Sequence, residues 1–242
     1  MIPKIINYCW FGKKPKSKLI EKCINSWKKY CPDYKIIEWN ESNFDININN
    51  YVKEAYENEN WAFVSDYARL WVVYNFGGIY LDTDVELIKQ MDFLTLDEAF
   101  FCFQDDKYIA TGLGFGAEKN NKVVKRMLDD YNDIHFVKKD GSLDITSCPI
   151  RNTKTIQNIF GKLKNEDEII KLDNIVFYPK EYFCPLDYET KIMNITENTI
   201  AIHWFDASWL SKKVKIKKRI HAFIKRIIGV KQFEKIKRKL KK

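Results

Sequence analysis

The sequence predicts an α/β protein, and two stretches of the chain carry that prediction. Residues 4–39 alternate a strand-like, a helix-like and a second strand-like segment, with Ser17 placed to cap the helix. Residues 61–87, WAFVSDYARLWVVYNFGGIYLDTDVEL, predict a helix, a Gly-Gly turn, a short buried strand and two aspartates. The β-α-β opening is typical of a Rossmann-like nucleotide-binding half. No G-x-G-x-x-G or G-x-x-x-x-G-K-[ST] occurs, which disfavours dinucleotide and P-loop binding.

The helix predicted at the start of the 61–87 stretch contains an acid and a base on one face. Its aromatic and aliphatic residues recur at helical spacing and indicate a buried face, and Gly77 ends it where a positive φ angle is needed. Asp66 and Arg69 are three positions apart, so they share a face. An exposed salt bridge is the common outcome for such a pair. A guanidinium among aromatic residues is also suited to bidentate contact with hydroxyl or phosphate oxygens.

Two aspartates follow the buried strand predicted over residues 79–81. Asp82 and Asp84 lie where loops after a strand open onto a cleft. Two carboxylates two residues apart in an extended chain point to the same side, and hard oxygen ligands bind divalent cations. Either both hold one ion, or one holds it while the other binds ligand hydroxyls. The spacing alone is weak evidence, because a chain of this composition contains roughly one D-x-D by chance.

Three ordered motifs in the chain resemble one enzyme family. They are I-P-K-I-I-N-Y-C-W-F-G near the start, S-D-Y-A-R-L…Y-N-F-G-G-I-Y-L-D-T-D in the centre, and H-W-F-D-A-S-W late in the chain. Together they span residues 2–209 and resemble the glycosyltransferases with a DXD-containing sugar-binding region. Capsular-polysaccharide enzymes and mannosyltransferases are relatives, and the glucosylating clostridial toxins are distantly similar. The resemblance implies a GT-A-like fold, with a mixed central sheet flanked by helices.

The resemblance also implies a reaction and a set of residues for it. A sugar would move from a UDP- or GDP-sugar to a hydroxyl of a capsule, O-antigen or lipid-linked glycan, with retained anomeric configuration. Mn²⁺ or Mg²⁺ would neutralise the departing diphosphate. The implied catalytic residues are Asp66, Arg69 and Asp84. The implied donor-binding residues are Trp10, Asp66, Arg69, Tyr80, Asp82, Ser208 and Trp209.

The third ligand of the expected metal ion comes from the late motif. His203 follows a predicted strand over residues 200–202, and neutral imidazole is a competent Mn²⁺ ligand beside two carboxylates. We therefore expect Asp82, Asp84 and His203 to hold the ion. The toxin relatives use an acid and a serine in this region, so Asp206 or Ser208 is an alternative.

Two tryptophans are expected to border the donor. Trp10 follows the first strand and would stack on the nucleotide base, although a tryptophan there could also be a simple core residue. Trp209 would close over the bound donor as part of a moving loop. The segment T-S-C-P-I-R-N-T, residues 146–153, resembles a family segment near the acceptor, with Ser147 in place of its glycine.

Charge divides the chain into two parts. Residues 211–242 contain 15 Lys or Arg and one acid, whereas the preceding residues contain 26 basic and 32 acidic side chains. We expect a catalytic domain over 1–210 and a basic amphipathic helical tail over 211–242, broken at Gly229. Its apolar stripe consists of Ile216, Ile220, Phe223, Ile224, Ile227 and Ile228. This pattern is typical of a helix on an anionic membrane; packing on the body and nucleic-acid binding are the alternatives.

Composition also bears on location. The sequence shows no signal peptide pattern and no apolar run of the ~18 residues that span a bilayer. Its six cysteines lack C-x-x-C or zinc-like spacing, which favours reduced, mostly buried thiols in a cytosolic protein. We expect a cytoplasmic enzyme attached to the inner face of the plasma membrane, without a nucleic-acid partner. The Lys, Asn and Ile bias is typical of an AT-rich bacterial genome.

Two other functions account for parts of the sequence. D-x-D also opens haloacid-dehalogenase phosphatases, but those have Thr or Val where this chain has Glu86, and their motif lies near the N-terminus. A non-enzymatic membrane- or nucleic-acid-binding module would act through the basic tail alone. That function leaves the acidic body and the D-T-D unexplained.

Overall fold

The computed structural model describes residues 1–163, 167–206 and 212–239, which form both strands and helices. The strands are β1 (Ile5–Cys9), β2 (Lys35–Trp39), β3 (Gly78–Tyr80), β4 (Val85–Leu87), β5 (Ala99–Cys102), β6 (Phe115–Ala117), β7 (Ile170–Leu172), β8 (Ile175–Tyr178) and β9 (Ala201–His203). The helices are α1 (Lys18–Tyr30), α2 (Asn50–Glu57), α3 (Trp61–Phe76), α4 (Lys122–Asp129), α5 (Cys148–Phe160), α6 (Lys212–Ile228) and α7 (Val230–Lys239).

Seven strands form one mixed sheet in the order β2-β1-β3-β6-β5-β8-β7. β1 runs parallel to both β2 and β3, with Ile6 opposite Ile36 on one side and Ile79 on the other. Parallel strands end at the same edge of a sheet, so the residues that follow these three strands are neighbours. Trp10 and Asp82 therefore lie along one edge, which is where α/β proteins bind ligands.

A separate two-stranded sheet joins the late motif to the D-T-D turn. β4 and β9 are antiparallel, with Val85 opposite His203. The Trp204 N–H also donates to the Asp84 carbonyl at 3.0 Å. This ladder holds two segments that are distant in the chain side by side, and it determines which side chains meet at the edge of the main sheet.

The central helix α3 is more deeply buried than the single apolar face predicted from its sequence. Val64, Ala68 and Val72 are fully buried in addition to Leu70. The reason is that α3 packs against α2 and α4 as well as against strand β1 of the main sheet. The helix ends at Gly77, which has φ +69°, as predicted.

The C-terminal helices α6 and α7 meet at Gly229, which has φ +80°. One side of α6 contacts a turn at residues 187–191, where Lys225 pairs with Glu189 and the Arg226 Nε donates to the Thr190 carbonyl at 2.6 Å. The apolar stripe of α6 is directed elsewhere, since more than half of each of four stripe side chains is exposed. These four are Ile216, Ile220, Phe223 and Ile227.

Helix α5 and strand β7 add to the sequence-based expectations. Helix α5 begins at Cys148, with Pro149 in its first turn, and thus includes most of the segment 146–153, for which no helix was predicted. The edge strand β7 was not predicted, because three residues give too short a pattern. All six cysteines are buried and unpaired. No helix within the described ranges is both long and apolar enough to cross a bilayer.

Asn7 is a buried polar residue in β1 that links two elements of the main sheet. Its amide oxygen accepts a hydrogen bond from the Trp39 indole at 2.9 Å, and its amide nitrogen donates to the Gly77 carbonyl at 3.2 Å. The residue has no exposed surface. Both partners would be left buried and unpaired if the side chain were removed, and each such group costs about 1–3 kcal/mol.

We therefore predict that Asn7→Ala lowers the free energy of unfolding by about 2–4 kcal/mol, measured by urea denaturation. The matched control is Asn198→Ala, since the Asn198 amide is exposed and donates to Glu181 at the surface. The control should remain within about 0.5 kcal/mol of the parent. Equal effects of the two substitutions would contradict the structural role of Asn7.

Candidate active site

A buried guanidinium occupies the centre of the site. Arg69, on α3, is 4% exposed, and one of its terminal nitrogens lies 3.1 Å from Asp66 Oδ1 and 3.1 Å from Asp82 Oδ1. The i,i+3 pair of Asp66 and Arg69 therefore exists, but the alternative of an exposed salt bridge is wrong because both side chains are buried. The same cation reaches the first aspartate of the D-T-D and joins α3 to the edge of the sheet.

Asp82 is fixed by neighbours on three sides. Its Oδ1 accepts a hydrogen bond from the Tyr80 hydroxyl at 3.0 Å, in addition to the Arg69 contact. Its backbone N–H donates to the Gly112 carbonyl at 3.0 Å. A Cβ atom at Gly112 would lie 2.3 Å from Asp82 Oδ2, so this close approach requires a glycine. Tyr80 is fully buried beneath the carboxylate.

Asp84 contacts the small sheet rather than the main one. Its Oδ1 lies 3.2 Å from His203 Nε2, and its Oδ2 accepts a hydrogen bond from the Asp206 N–H at 2.7 Å. Asp82 and Asp84 were expected to point to the same side along an extended chain. Instead they are brought together by a turn, in which the Val85 N–H donates to the Asp82 carbonyl at 3.0 Å.

Burial and nearby charges set the protonation of the three carboxyl groups. Burial raises the pKa of Asp66 to about 6, with Arg69 opposing the rise, and burial also raises the pKa of Asp82 against the same guanidinium. For Asp84, burial acts in the same direction, but His203 and the backbone N–H groups outweigh it and hold the pKa below its ordinary value. Asp84 is therefore a carboxylate at neutral pH.

Asp82, Asp84 and His203 form a cluster that fits a divalent cation. One ligand atom from each residue lies within 4.8 Å of the others, and this is the only such group of acids, histidines and cysteines found among the described residues. Two carboxylates and an imidazole are ligand types that Mn²⁺ and Mg²⁺ sites use. Among the described residues, the His203 Nδ1 is buried and has no hydrogen-bond partner.

Trp10 is half-buried: it packs against the hydrophobic core and also lines a surface cleft. The cleft has a volume of about 520 Å³ and lies between the loop after β1 and the loop after β2. The indole Nε1 donates to the Lys14 carbonyl at 2.7 Å, and the Lys16 ammonium lies 5.5 Å from the ring centroid. Asn40 and Glu41 line the opposite side. The cleft offers an aromatic ring and polar groups at the edge where β1 and β2 end.

The structure adds residues to the site that sequence analysis did not assign to it. The Sγ atom of Cys148, at the start of α5, accepts a hydrogen bond from the Arg69 guanidinium at 3.2 Å. The Thr111 hydroxyl lies 3.6 Å from the same sulfur atom. Asn152, one turn later in α5, donates to the Thr111 hydroxyl at 2.8 Å. The segment 146–153 resembled a family motif near the acceptor, and that resemblance was the available signal. Because α5 begins at Cys148, this segment lies against the Arg69 guanidinium.

Not every expected residue can be located. Ser208 and Trp209 lie outside the described residues. Asp206 is described; it contributes its backbone N–H to Asp84, while its side chain is not part of the three-residue cluster. The structure therefore brings Asp66, Arg69, Tyr80, Asp82, Asp84 and His203 together, with Trp10 farther along the same edge.

Comparisons with known proteins agree with this arrangement. Residues 17–101 match the family described as "Glycosyltransferase sugar-binding region containing DXD motif". The resemblance seen in the sequence is confirmed over this segment, which is similar to the DXD-containing sugar-binding region of glycosyltransferases. The matched segment includes α3 and the D-T-D turn.

Two particular proteins illustrate the similarity. The human alpha-1,4-N-acetylglucosaminyltransferase is 26% identical over 132 residues, which are 53% of this chain and 36% of that protein. The match thus spans about a third of the relative's length. The solved structure of PaToxG Glycosyltransferase aligns with a TM-score of 0.51 and 20% identity, covering 66% of this chain and 70% of that one. The predicted GT-A-like fold, a mixed sheet flanked by helices, is confirmed.

The position of Arg69 leads to a prediction about stability. Arg69→Ala would leave Asp66 and Asp82 buried without their cation, and breaking a buried pair in this way costs about 3–5 kcal/mol. Urea denaturation should show that loss. Arg126→Ala is the control, because Arg126 is largely exposed and its nearest acid, Asp130, is 3.9 Å away. The control should change stability by less than about 1 kcal/mol; comparable losses would contradict the central role of Arg69.

Proposed function

We propose that this protein is a metal-dependent, retaining glycosyltransferase of the hexosyl-transferring type. It moves a sugar from a UDP- or GDP-sugar to a hydroxyl of a surface glycan such as capsule, O-antigen or a lipid-linked oligosaccharide. The observation that carries the proposal is the cluster of Asp82, Asp84 and His203 beside the buried Arg69, within a matched sugar-binding region. The human relative's name describes transfer of N-acetylglucosamine, which supports a sugar-transfer reaction of this class.

The donor would lie along the edge at which β1, β2 and β3 end. The nucleotide base stacks on Trp10 in the cleft, since a base and an indole offer each other flat apolar faces. The diphosphate then extends towards the Asp82–Asp84–His203 cluster, and the sugar lies near Asp66 and Arg69. Tyr80 supports the Asp82 carboxylate from below. If Ser208 and Trp209 contact the donor, they do so from the segment that follows Asp206.

The chemistry requires charge stabilisation rather than a strong nucleophile. A divalent cation held by Asp82, Asp84 and His203 would neutralise the diphosphate as the glycosidic bond breaks. Arg69 adds a permanent positive charge, which its two acidic partners hold in a fixed orientation. Asp66 orients the sugar hydroxyls so that the acceptor hydroxyl attacks the face that the diphosphate leaves, and the hydroxyl proton passes to the departing diphosphate oxygen. Attack on that face retains the anomeric configuration.

We also propose that residues 211–242 attach the catalytic domain, residues 1–210, to an anionic lipid surface. The exposed apolar stripe of α6 has Lys217 and Arg219 on either side by helical spacing, and both are exposed. Apolar side chains enter the lipid boundary while the flanking cations bind headgroup phosphates. Attachment to the inner face of the plasma membrane would bring the site close to lipid-linked acceptors.

The enzymatic proposal is tested by ligand-dependent thermal unfolding. The protein is heated with each of a panel of UDP- and GDP-sugars, with Mn²⁺ and with EDTA. A donor at 100 times its Kd adds about 2.7 kcal/mol, and a domain of this size gains about 2–4 °C per kcal/mol. We predict a rise of about 5 °C or more with one donor, only when Mn²⁺ is present, and metal-dependent hydrolysis or transfer of that donor.

Asp84→Ala should abolish the Mn²⁺-dependent rise and the turnover while the protein stays folded, because it removes a metal ligand. Asp133→Ala is the matched control, as Asp133 is exposed and remote from the cluster. Near-normal turnover by Asp84→Ala with Mn²⁺ would refute the site assignment. A folded protein that neither binds nor turns over any donor would refute the enzymatic proposal and favour a binding module acting through the tail.

Membrane attachment is tested by sedimentation with lipid vesicles. We predict binding to vesicles that contain phosphatidylglycerol, weakening as salt is added, and little binding to phosphatidylcholine alone. The double variant Phe223→Ser/Ile227→Ser should bind at least about tenfold less, since each large apolar side chain contributes about 1.5–3 kcal/mol on burial. Ile195→Ser is the control, because more than half of Ile195 is also exposed but the residue lies on the body. Equal loss in the control, or equal binding to neutral vesicles, would contradict the proposal.

A further inference from the structure

Lys191 is a lysine with an unusual backbone conformation close to the candidate metal cluster. It ends the turn at residues 187–191 with φ +57°, and Phe205, which contacts it, has φ +52°. Residues other than glycine rarely adopt these left-handed angles, and such strain is concentrated at functional sites. Two strained non-glycine residues in contact beside the cluster make this turn a candidate for a role in ligand binding.

Ring contacts connect the Lys191 ammonium to the cluster. Its Nζ lies 4.5 Å from the centroid of the Phe205 ring and 5.1 Å from that of Tyr188. The Phe205 centroid lies 4.1 Å from that of His203, the imidazole that faces Asp84. The Phe205 ring thus contacts both the Lys191 ammonium and the His203 imidazole. Burial lowers the pKa of Lys191, whereas nearby acids including Asp84 act in the opposite direction.

The Lys191 ammonium has aromatic contacts but no carboxylate partner within 4 Å among the described residues. Lys225 on α6 differs, because it pairs with both Glu189 and Glu234. A half-buried ammonium without an anion loses hydration that its surroundings do not replace. An anionic ligand would supply the missing partner.

Helix α6 holds the backbone of this turn in place. Arg226 donates to the carbonyls of both Thr190 and Lys191, and Lys225 pairs with Glu189. The backbone of Lys191, with its left-handed conformation, is thus supported by contacts from α6. A cation with a fixed backbone can contact a ligand without first being ordered, which reduces the entropy lost on binding.

We propose that Lys191 is a donor-binding residue whose ammonium contacts the diphosphate of the nucleotide-sugar next to the Asp82–Asp84–His203 cluster. This inference rests on the proposed function and identifies a further residue of that site. The diphosphate gains negative charge as the sugar leaves, so the contact is stronger in the transition state than in the bound donor. Loss of Lys191 should therefore raise KM and lower kcat together.

The experiment compares nucleoside diphosphates with nucleosides in calorimetric titrations of the full chain. UDP, GDP, uridine and guanosine are each titrated with Mn²⁺ and with EDTA. Lys191→Met should weaken binding of the preferred nucleoside diphosphate at least about tenfold, whereas affinity for its nucleoside stays unchanged. Lys191→Arg should restore most of the affinity. Lys218→Met, which alters a lysine that contacts the same Tyr188 ring, should bind both ligands like the parent protein.

The outcomes separate this inference from the proposed function. Unchanged diphosphate affinity in Lys191→Met, or an equal loss for diphosphate and nucleoside, overturns the role of Lys191 while the transferase proposal stands. Failure of the parent protein to bind either diphosphate under both conditions overturns the proposed function, and this inference with it. The unfolding midpoint is measured for every variant, and Lys191→Gln replaces Lys191→Met if the latter does not fold.

Discussion

The guanidinium of Arg69 is a permanent charge in the protein interior, and the site is built around its neutralisation. A buried cation is stable only with anionic partners in good geometry. Asp66 supplies one from the preceding turn of α3, and Asp82 supplies the other from the end of β3, each at 3.1 Å. This pairing joins the most buried helix to the edge of the sheet. Two neighbouring residues fit this pairing. Residue 112 is a glycine because the space beside Asp82 admits no Cβ atom. The Cys148 sulfur accepts a hydrogen bond from another N–H group of Arg69.

The two aspartates of the D-T-D serve different parts of the fold. Asp82 is bound to α3 and the main sheet, whereas Asp84 is bound to the small sheet through His203 and the Asp206 N–H. Their carboxylates meet because the chain turns between them. The candidate metal site is therefore the junction of two independently paired sheets. A cation that binds all three ligands would also hold the two sheets together, so metal binding and stability of the β4–β9 pair are linked.

Local signals account for most of what the sequence could predict. Ser17 caps α1 and Gly77 ends α3, as their residue types indicate, and three short motifs identified the family region. Long-range pairing is the part that local patterns do not encode. The register that puts Val85 opposite His203 depends on two segments far apart in the chain, so His203 was proposed by resemblance rather than by spacing. The burial of the Asp66–Arg69 pair was equally inaccessible, since it depends on Asp82 and α5. Lys191 lies outside every motif recognised in the sequence, so its role could not be predicted from it.

The turn at residues 187–191 connects the two proposals physically. Its inner end carries Lys191 beside Phe205, and its outer side is bound by Lys225 and Arg226 of α6. The same helix presents the exposed apolar stripe. An interaction that stabilises α6 in this position also stabilises the backbone of the turn, and hence the position of Lys191, whose ammonium contacts the Phe205 ring beside His203. Thermodynamic linkage then requires the reverse effect: donor binding that orders the turn favours the docked position of α6 by the same free energy. A lipid surface that binds docked α6 more tightly than undocked α6 would therefore increase affinity for the donor.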